Sequence, residues 1–288
     1  MIKQYKYSLD KSSKKFICPQ CGKKTFVRFI ETESGIFMQE AFGRCDRETN
    51  CSYYQMPEKD IKPVFTIHQQ KPKPSYVPIE LLSIMYTEGY ARDYFSDFLK
   101  ARFSLDDVFR VTQLYFITGT NKPWDNSTVF WQIDHAEKIR AGKVMQYHPT
   151  TGKRIKVPYN RISWIHKSKD GFNMSQCLFG LHQINGAAQK SIAIVESEKT
   201  AVLLSIYKPE YIWMATGAKG NFKYEILQNI KTYKIIAFPD KGEFTIWNTK
   251  ALALNKIGFN IYVNDWLEKT DYPTGTDLAD VYLSAEKD

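Results

Sequence analysis

The chain lacks any apolar run long enough to cross a bilayer, so no transmembrane helix is predicted. Its opening residues, MIKQYKYSLDKSSKKF, carry no apolar stretch of the secretory kind. Cytoplasmic residence, with no membrane partner, is the resulting expectation. Also missing are a Walker A loop, so no fused helicase motor is indicated, and a G-x-S-x-G elbow. The five histidines are scattered without metal-ligand spacing, and no repeat or low-complexity block interrupts the 288 residues. Cysteine is scarce, with five in all. In a reducing compartment a cluster of them points to metal rather than to disulfides.

What is present is an ordinary globular composition with two biases. Hydrophobic residues make up 43% and charged residues 25%, as in typical soluble domains. Aromatics reach 15%, more than a core of this size needs, which predicts that some rings are displayed. The net charge of +9 leans toward polyanionic partners.

Four of the five cysteines fall in the first 51 residues. Cys18-Pro19-Gln20-Cys21-Gly22 has the form of a zinc knuckle, in which two thiolates bend around one tetrahedral ion. Cys45 and Cys51 form a second, wider pair. With β-type runs at Thr25–Ile30 and Gly35–Gln39, the segment reads as a four-cysteine zinc ribbon holding a structural Zn²⁺. Lys14, Lys15, Lys23, Lys24, Arg28, Arg44 and Arg47 are interleaved with Phe16, Phe26, Phe29, Tyr53 and Tyr54. That mixture suits a reader of single-stranded nucleic acid; a solvated basic rim around a small aromatic core is the other reading. Cys177 stands alone and is expected to be buried.

Four regions follow: the ribbon (1–60), an extended linker (61–78) with prolines at 72, 74 and 78, an α+β middle domain (79–188) and an α/β domain (189–288). Leu81, Leu82 and Met85, then Tyr94, Phe95, Phe98 and Leu99, recur at helical spacing, and Ser104 reads as the cap of a further helix. Residues 129–133 and 143–147 read as strands, with a turn at 148–152. Beyond 190, strands at Ile192–Val195, Tyr211–Ala215, Lys234–Phe238 and Phe259–Val263 alternate with helical segments. This predicts a parallel four-stranded sheet with flanking helices and a last short helix after Gly275.

Two of those strands end on acids, Glu196 and Asp240. Open α/β sheets bind ligands at this edge, and a pair of carboxylates there suits a divalent metal and a phosphate. Gly217, in the turn after the intervening strand, would let backbone approach a phosphate. Lys199, Lys219 and Lys241 each follow such a landmark and are candidates for phosphate contact, or else solvated lysines. Lys138, Arg140, Lys143, Lys153, Arg154, Lys156 and Arg161 make the middle region basic. With Trp131, Tyr147, Tyr159 and Trp164 they could track a strand of nucleic acid, or the rings could be core.

The order strand–Glu, strand–Gly, strand–Asp resembles the Toprim domain of bacterial-type primases, topoisomerases and some nucleases. IVESEKTA is similar to the EGEKDA-like motif of phage and plasmid primases. The resemblance aligns Glu196 with the family's glutamate, Gly217 with its glycine and Asp240 with the first acid of its Asp-x-Asp motif. A zinc ribbon ahead of a Toprim domain is the primase layout, and residues 129–154 are similar to the central region of primase-like proteins of bacterial mobile elements. The resemblance implies short primers made on single-stranded DNA from nucleoside triphosphates, with Mg²⁺ or Mn²⁺ as cofactor. It also implies a separate helicase or mobilisation protein as partner. Glu196 would act as acid/base or as a further ligand, and Asp240 would bind metal with Glu243 or Asp280. Position 242, which should hold the second acid, is Gly242. That departure keeps open a catalytically degenerate DNA-binding accessory protein. A nuclease or topoisomerase-like domain ranks low, because the chain has no room for gate domains.

Overall fold

The computed structural model describes residues 5–32, 34–57, 73–87, 92–166, 171–186 and 191–285. They fall into two compact units, 1–73 and 74–288. Most of the expected linker lies outside the described residues. The regions read as middle and C-terminal domains share the second unit.

The first unit is a four-stranded antiparallel sheet, β1 (Tyr7–Leu9), β2 (Phe26–Glu31), β3 (Gly43–Cys45) and β4 (Tyr54–Gln55), in that spatial order. Tyr7, Phe29, Met38 and Phe42 form one small core, and Phe26 packs among Cys18, Cys45 and Cys51 in another. The β-type run at Gly35–Gln39 pairs only through a bridge from Phe37 to Ile30, because Gly35 turns the chain at φ +68° just before it.

In the second unit, α1 (Ile79–Thr87), α2 (Tyr94–Lys100) and α3 (Leu105–Leu114) precede an antiparallel sheet, β5 (Thr118–Thr120), β6 (Ser127–Ile133), β7 (Ile139–Met145) and β8 (Ile162–Trp164). Asp93 and Ser104 cap α2 and α3 by accepting hydrogen bonds from the amides of Ser96 and Asp107. A parallel sheet then follows: β9 (Ile192–Val195), α4 (Glu198–Tyr207), β10 (Ile212–Ala215), α5 (Tyr224–Leu227), β11 (Lys234–Ala237), α6 (Phe244–Asn255), β12 (Asn260–Val263) and α7 (Leu278–Ala285). Its strand order is β10-β9-β11-β12, all parallel.

Both faces of this sheet are covered, which is why its central strand is apolar without alternation. Ala193, Val195, Trp213 and Ala215 face one core with residues of α2, α3 and α4; Ile192, Ile194, Ile212 and Met214 face another with residues of α5 and α6. The edge strand β12 alternates, with Ile261 and Val263 buried and Asn260 and Tyr262 exposed. Among the described residues no helix is long and apolar enough to cross a membrane.

Candidate functional site

The cysteine site is assembled by β2, β3 and the turns beside them. The Gly22 amide donates to Cys18 O at 3.0 Å, closing the first knuckle. Arg47 O accepts the amides of Asn50, Cys51 and Ser52, so the five residues between Cys45 and Cys51 form a compact turn rather than a slack loop. Ligand atoms of Cys18, Cys21, Cys45 and Cys51 lie within 4.8 Å of one another; Cys18 Sγ is 3.7 Å from Cys51 Sγ, and Cys21 Sγ is 4.0 Å from Cys45 Sγ. A zinc ion bonded to four sulfurs at about 2.3 Å needs them about 3.8 Å apart, so the donor set fits. A hydrogen bond from the Lys23 amide lowers the Cys21 thiol to about 6, and the Thr25 hydroxyl beside Cys45 lowers that thiol too, which favours the thiolates zinc requires. Burial pushes Cys51 the other way. Phe26 and Phe29 are buried in the ribbon, while Tyr54 is 55% exposed. Cys177 is buried, as expected.

The acidic edge lies at the C-terminal ends of β9 and β11. Glu196 and Asp240 follow these strands, Glu243 begins α6, and Asp277 and Asp280 open α7. Burial, then the charges of Asp277, Glu196, Asp280 and Glu243, push the Asp240 carboxyl up to about 8. Burial and the Glu243 charge raise Glu196 as well. Five carboxylates therefore act on one another here. Asp277 is buried, accepts a hydrogen bond from Thr200 Oγ1 at 2.7 Å, and takes the Asp280 amide at 2.8 Å. Asp277-Leu278-Ala279-Asp280 resembles the late Asp-containing motif of phage primases, and here its first acid caps the helix that carries the second. This oxygen-rich set, in which burial and neighbouring charge raise Asp240 and Glu196, has the chemistry of a divalent-cation site.

The cations expected at this edge divide. Lys219 ion-pairs with Glu243, and its own side chain is 59% exposed. Lys199 Nζ lies 3.4 Å from Asp280. A cavity of about 310 Å³ beside Asp280 is lined by Arg102, Lys153 and Tyr272 among others. Arg154 is half-buried, with its Nε lacking a hydrogen-bond partner among the described residues.

Three others are engaged by the protein itself. Lys143 is buried, its ammonium 2.9 and 3.1 Å from the Glu198 carboxylate oxygens and 2.7 Å from Gly217 O. Arg140 binds Asp134 and lies over the Tyr76 ring. The Lys241 ammonium donates to Glu268 O and Thr270 O. These three cations are committed to protein partners rather than free for phosphates. Trp131 and Tyr147 are likewise core, whereas Tyr159 is 56% exposed. β7 is buried almost throughout because sheet and helices cover both its faces, so its lysine needed a buried carboxylate.

Gly217 also serves packing. It adopts φ +73°, its amide donates to Glu196 O at 2.8 Å, and a Cβ there would sit 2.8 Å from Glu198 Oε1. The amide is thus spent on the strand end that carries Glu196, and the missing side chain makes room for Glu198.

The family model described as Domain of unknown function (DUF6371) matches residues 93–241, just over half of the chain. A second model, a zinc beta-ribbon finger, matches residues 5–64. A comparison with curated proteins finds no match. Among solved structures, the chain is similar to the primase fragment of the bacteriophage T7 primase-helicase protein, at 15% identity over 95% of each chain with a TM-score of 0.46. It is similar to the DnaG catalytic core at 14% identity, covering 72% of this chain and 74% of that one with a TM-score of 0.48. The E. coli primase catalytic core is a further neighbour, at 15% identity over 73% and 71% with a TM-score of 0.39.

Proposed function

The chain belongs to the DUF6371 family, and we propose that it is a primase-like, Toprim-type nucleic-acid protein that joins nucleotides on a single-stranded DNA template. One observation carries the reading: Asp240, at the C-terminal edge of a parallel sheet in the Glu–Gly–Asp order of a Toprim domain, is pushed up to about 8 by burial and by the charges of four neighbouring carboxylates. In this reading Asp240, with Asp277, Asp280 or Glu243, holds Mg²⁺ or Mn²⁺. The bound ion supplies positive charge to phosphoryl oxygens. The primer's 3′-hydroxyl oxygen bonds to the α-phosphorus of a nucleoside triphosphate, the bond from that phosphorus to its bridging oxygen breaks, and pyrophosphate leaves. Glu196, whose carboxyl burial raises above the ordinary glutamate range, takes the hydroxyl proton. Lys199, Lys219 and the Arg102–Lys153 cavity meet phosphates. The ribbon, with its zinc, engages the template. The reading places the protein in the cytoplasm, working beside a separate helicase or mobilisation protein of a mobile element.

Incubation with single-stranded DNA, labelled nucleoside triphosphates and Mg²⁺ or Mn²⁺ should give short oligonucleotides, lost on Asp240→Asn. Folded, DNA-binding protein that yields no product with either ion sinks the enzymatic claim. Gly242 and the Lys219–Glu243 ion pair favour the second reading, a catalytically silent DNA-binding accessory protein. Such a protein would show no stabilisation linked to Mg²⁺.

A further inference from the structure

Gly242 stands where the Toprim pattern has its second acid, and a loop occupies the space that acid would need. We propose that Lys241 is a positioning residue: it clasps the 268–276 loop into that space and so sets Asp277 and Asp280 beside Asp240 as replacement ligands. The inference rests on the metal-binding reading of the acidic edge given above.

The clasp has a side-chain part and a backbone part. Lys241 Nζ donates to Glu268 O at 3.1 Å and to Thr270 O. The Lys241 amide donates to Thr276 O at 3.0 Å, and the Gly275 amide returns a bond to Lys241 O at 2.9 Å. The Gly242 amide donates to Glu268 Oε2 at 2.8 Å. One short turn after β11 thus holds both ends of the loop, and the next residue along the chain is Asp277. Asp277 is gripped from the other side by Thr200 of α4, and in turn accepts the amide of Asp280. The placement of both acids is therefore tied to the residue that follows Asp240.

The same geometry accounts for the glycine. Gly242 has φ +92°, a conformation side-chain-bearing residues rarely adopt, and a Cβ there would lie 2.9 Å from Thr274 Cγ2. An aspartate at 242 would collide with the loop that delivers the replacement acids. The departure is then an exchange of ligands between two segments rather than the loss of one. Lys241 works through carbonyl oxygens and does not touch substrate.

The experiment uses the full, zinc-loaded chain. Mn²⁺ affinity is read from the electron paramagnetic resonance of free Mn²⁺, and clasp integrity from hydrogen exchange at the Lys241 and Gly275 amides. Lys241→Met should speed exchange at both amides and weaken Mn²⁺ binding by about 10- to 100-fold, the usual effect of losing a group that orients metal ligands. Glu268→Ala, at an exposed residue, should shift both readouts the same way by less; it decides the matter if Lys241→Met does not fold. Gly242→Asp should bind Mn²⁺ more weakly than wild type, although it restores the acid. Looser amides with Mn²⁺ affinity unchanged within about twofold, or tighter binding by Gly242→Asp, overturns the clasp alone. A wild-type protein that binds no Mn²⁺ overturns the metal reading beneath it, and the clasp's purpose with it.

Discussion

The ribbon gathers thiols and the edge of the parallel sheet gathers carboxylates, yet only one cluster is drawn tight. Among the described residues, the four cysteines alone bring three or more ligand atoms within 4.8 Å of one another. Thiols can be neutral and sit close at little electrostatic cost, so backbone turns alone can gather them. Carboxylates at the same spacing repel, and the fold keeps theirs apart with Asp240 held near neutrality. A third arrangement sharpens the contrast: Glu198 is more deeply buried than Asp240 but carries its own cation, Lys143, and is fully engaged. Preassembly of an anionic site thus depends on whether the compensating charge is built into the chain or must arrive.

The strongest way to break this comparison is to remove zinc. Structural zinc contributes on the order of 10–16 kcal/mol of apparent binding energy, far more than a core as small as Tyr7, Phe29, Met38 and Phe42 supplies. Chelation or Cys18→Ser should abolish exchange protection of the β2 and β3 amides while those of β9 and β11 persist. Protected ribbon amides after zinc loss would show that the thiols are gathered by the fold alone. Next in size, Lys143→Met should destabilise the 74–288 unit by about 3–5 kcal/mol, the cost of leaving a buried carboxylate unpaired. Adding Glu198→Gln should recover much of that loss in urea titrations.

The third prediction is a pH dependence. Native Asp240 keeps its proton up to about 8, whereas the unfolded chain gives it up in the ordinary aspartate range. Between those limits the native state holds more protons, so this group makes stability fall as pH rises and adds no further slope above about 8. Asp240→Asn should flatten that part of the profile of Tm against pH. Added Mn²⁺ should stabilise wild type more at the alkaline end. An unchanged profile in the variant would place the slope elsewhere. The smallest effect is expected at the rim: Lys219→Met should leave the urea midpoint close to that of wild type, since its exposed ammonium is screened by water.

How much of this could be read from residues alone depended on range. The βα alternation from 190 to 264 was legible because apolar runs, turns and helical spacing are local signals, and the parallel sheet follows them closely. The thiol cluster was legible because half of it, Cys18 to Cys21, is a local turn. The roles of Lys143 and Arg140 were not, because a strand buried on both faces offers no alternation to reveal which charges turn inward. Asp277 is legible only as part of the Asp277-Leu278-Ala279-Asp280 motif, and its contacts are hidden for a different reason. Its place is fixed by Thr200, far back along the chain, and by the clasp from Lys241, and neither contact leaves a periodic trace. The Gly35–Gln39 run shows the limit of propensity, where one left-handed glycine reduces a strand-like segment to a bridge.

Lys143 has one more implication, for how the molecule can be divided. It reaches from the antiparallel sheet to a carboxylate on α4 and a carbonyl after β10, and Phe179 pairs with Ala215 across the same boundary. A fragment begun at 189 would keep the acids but strand Glu198 without its counter-ion and bare the edge of β10. Expression trials and recombination alike should find 74–288 to be the smallest heritable piece that carries the acidic edge, with any viable crossover falling before the first helix.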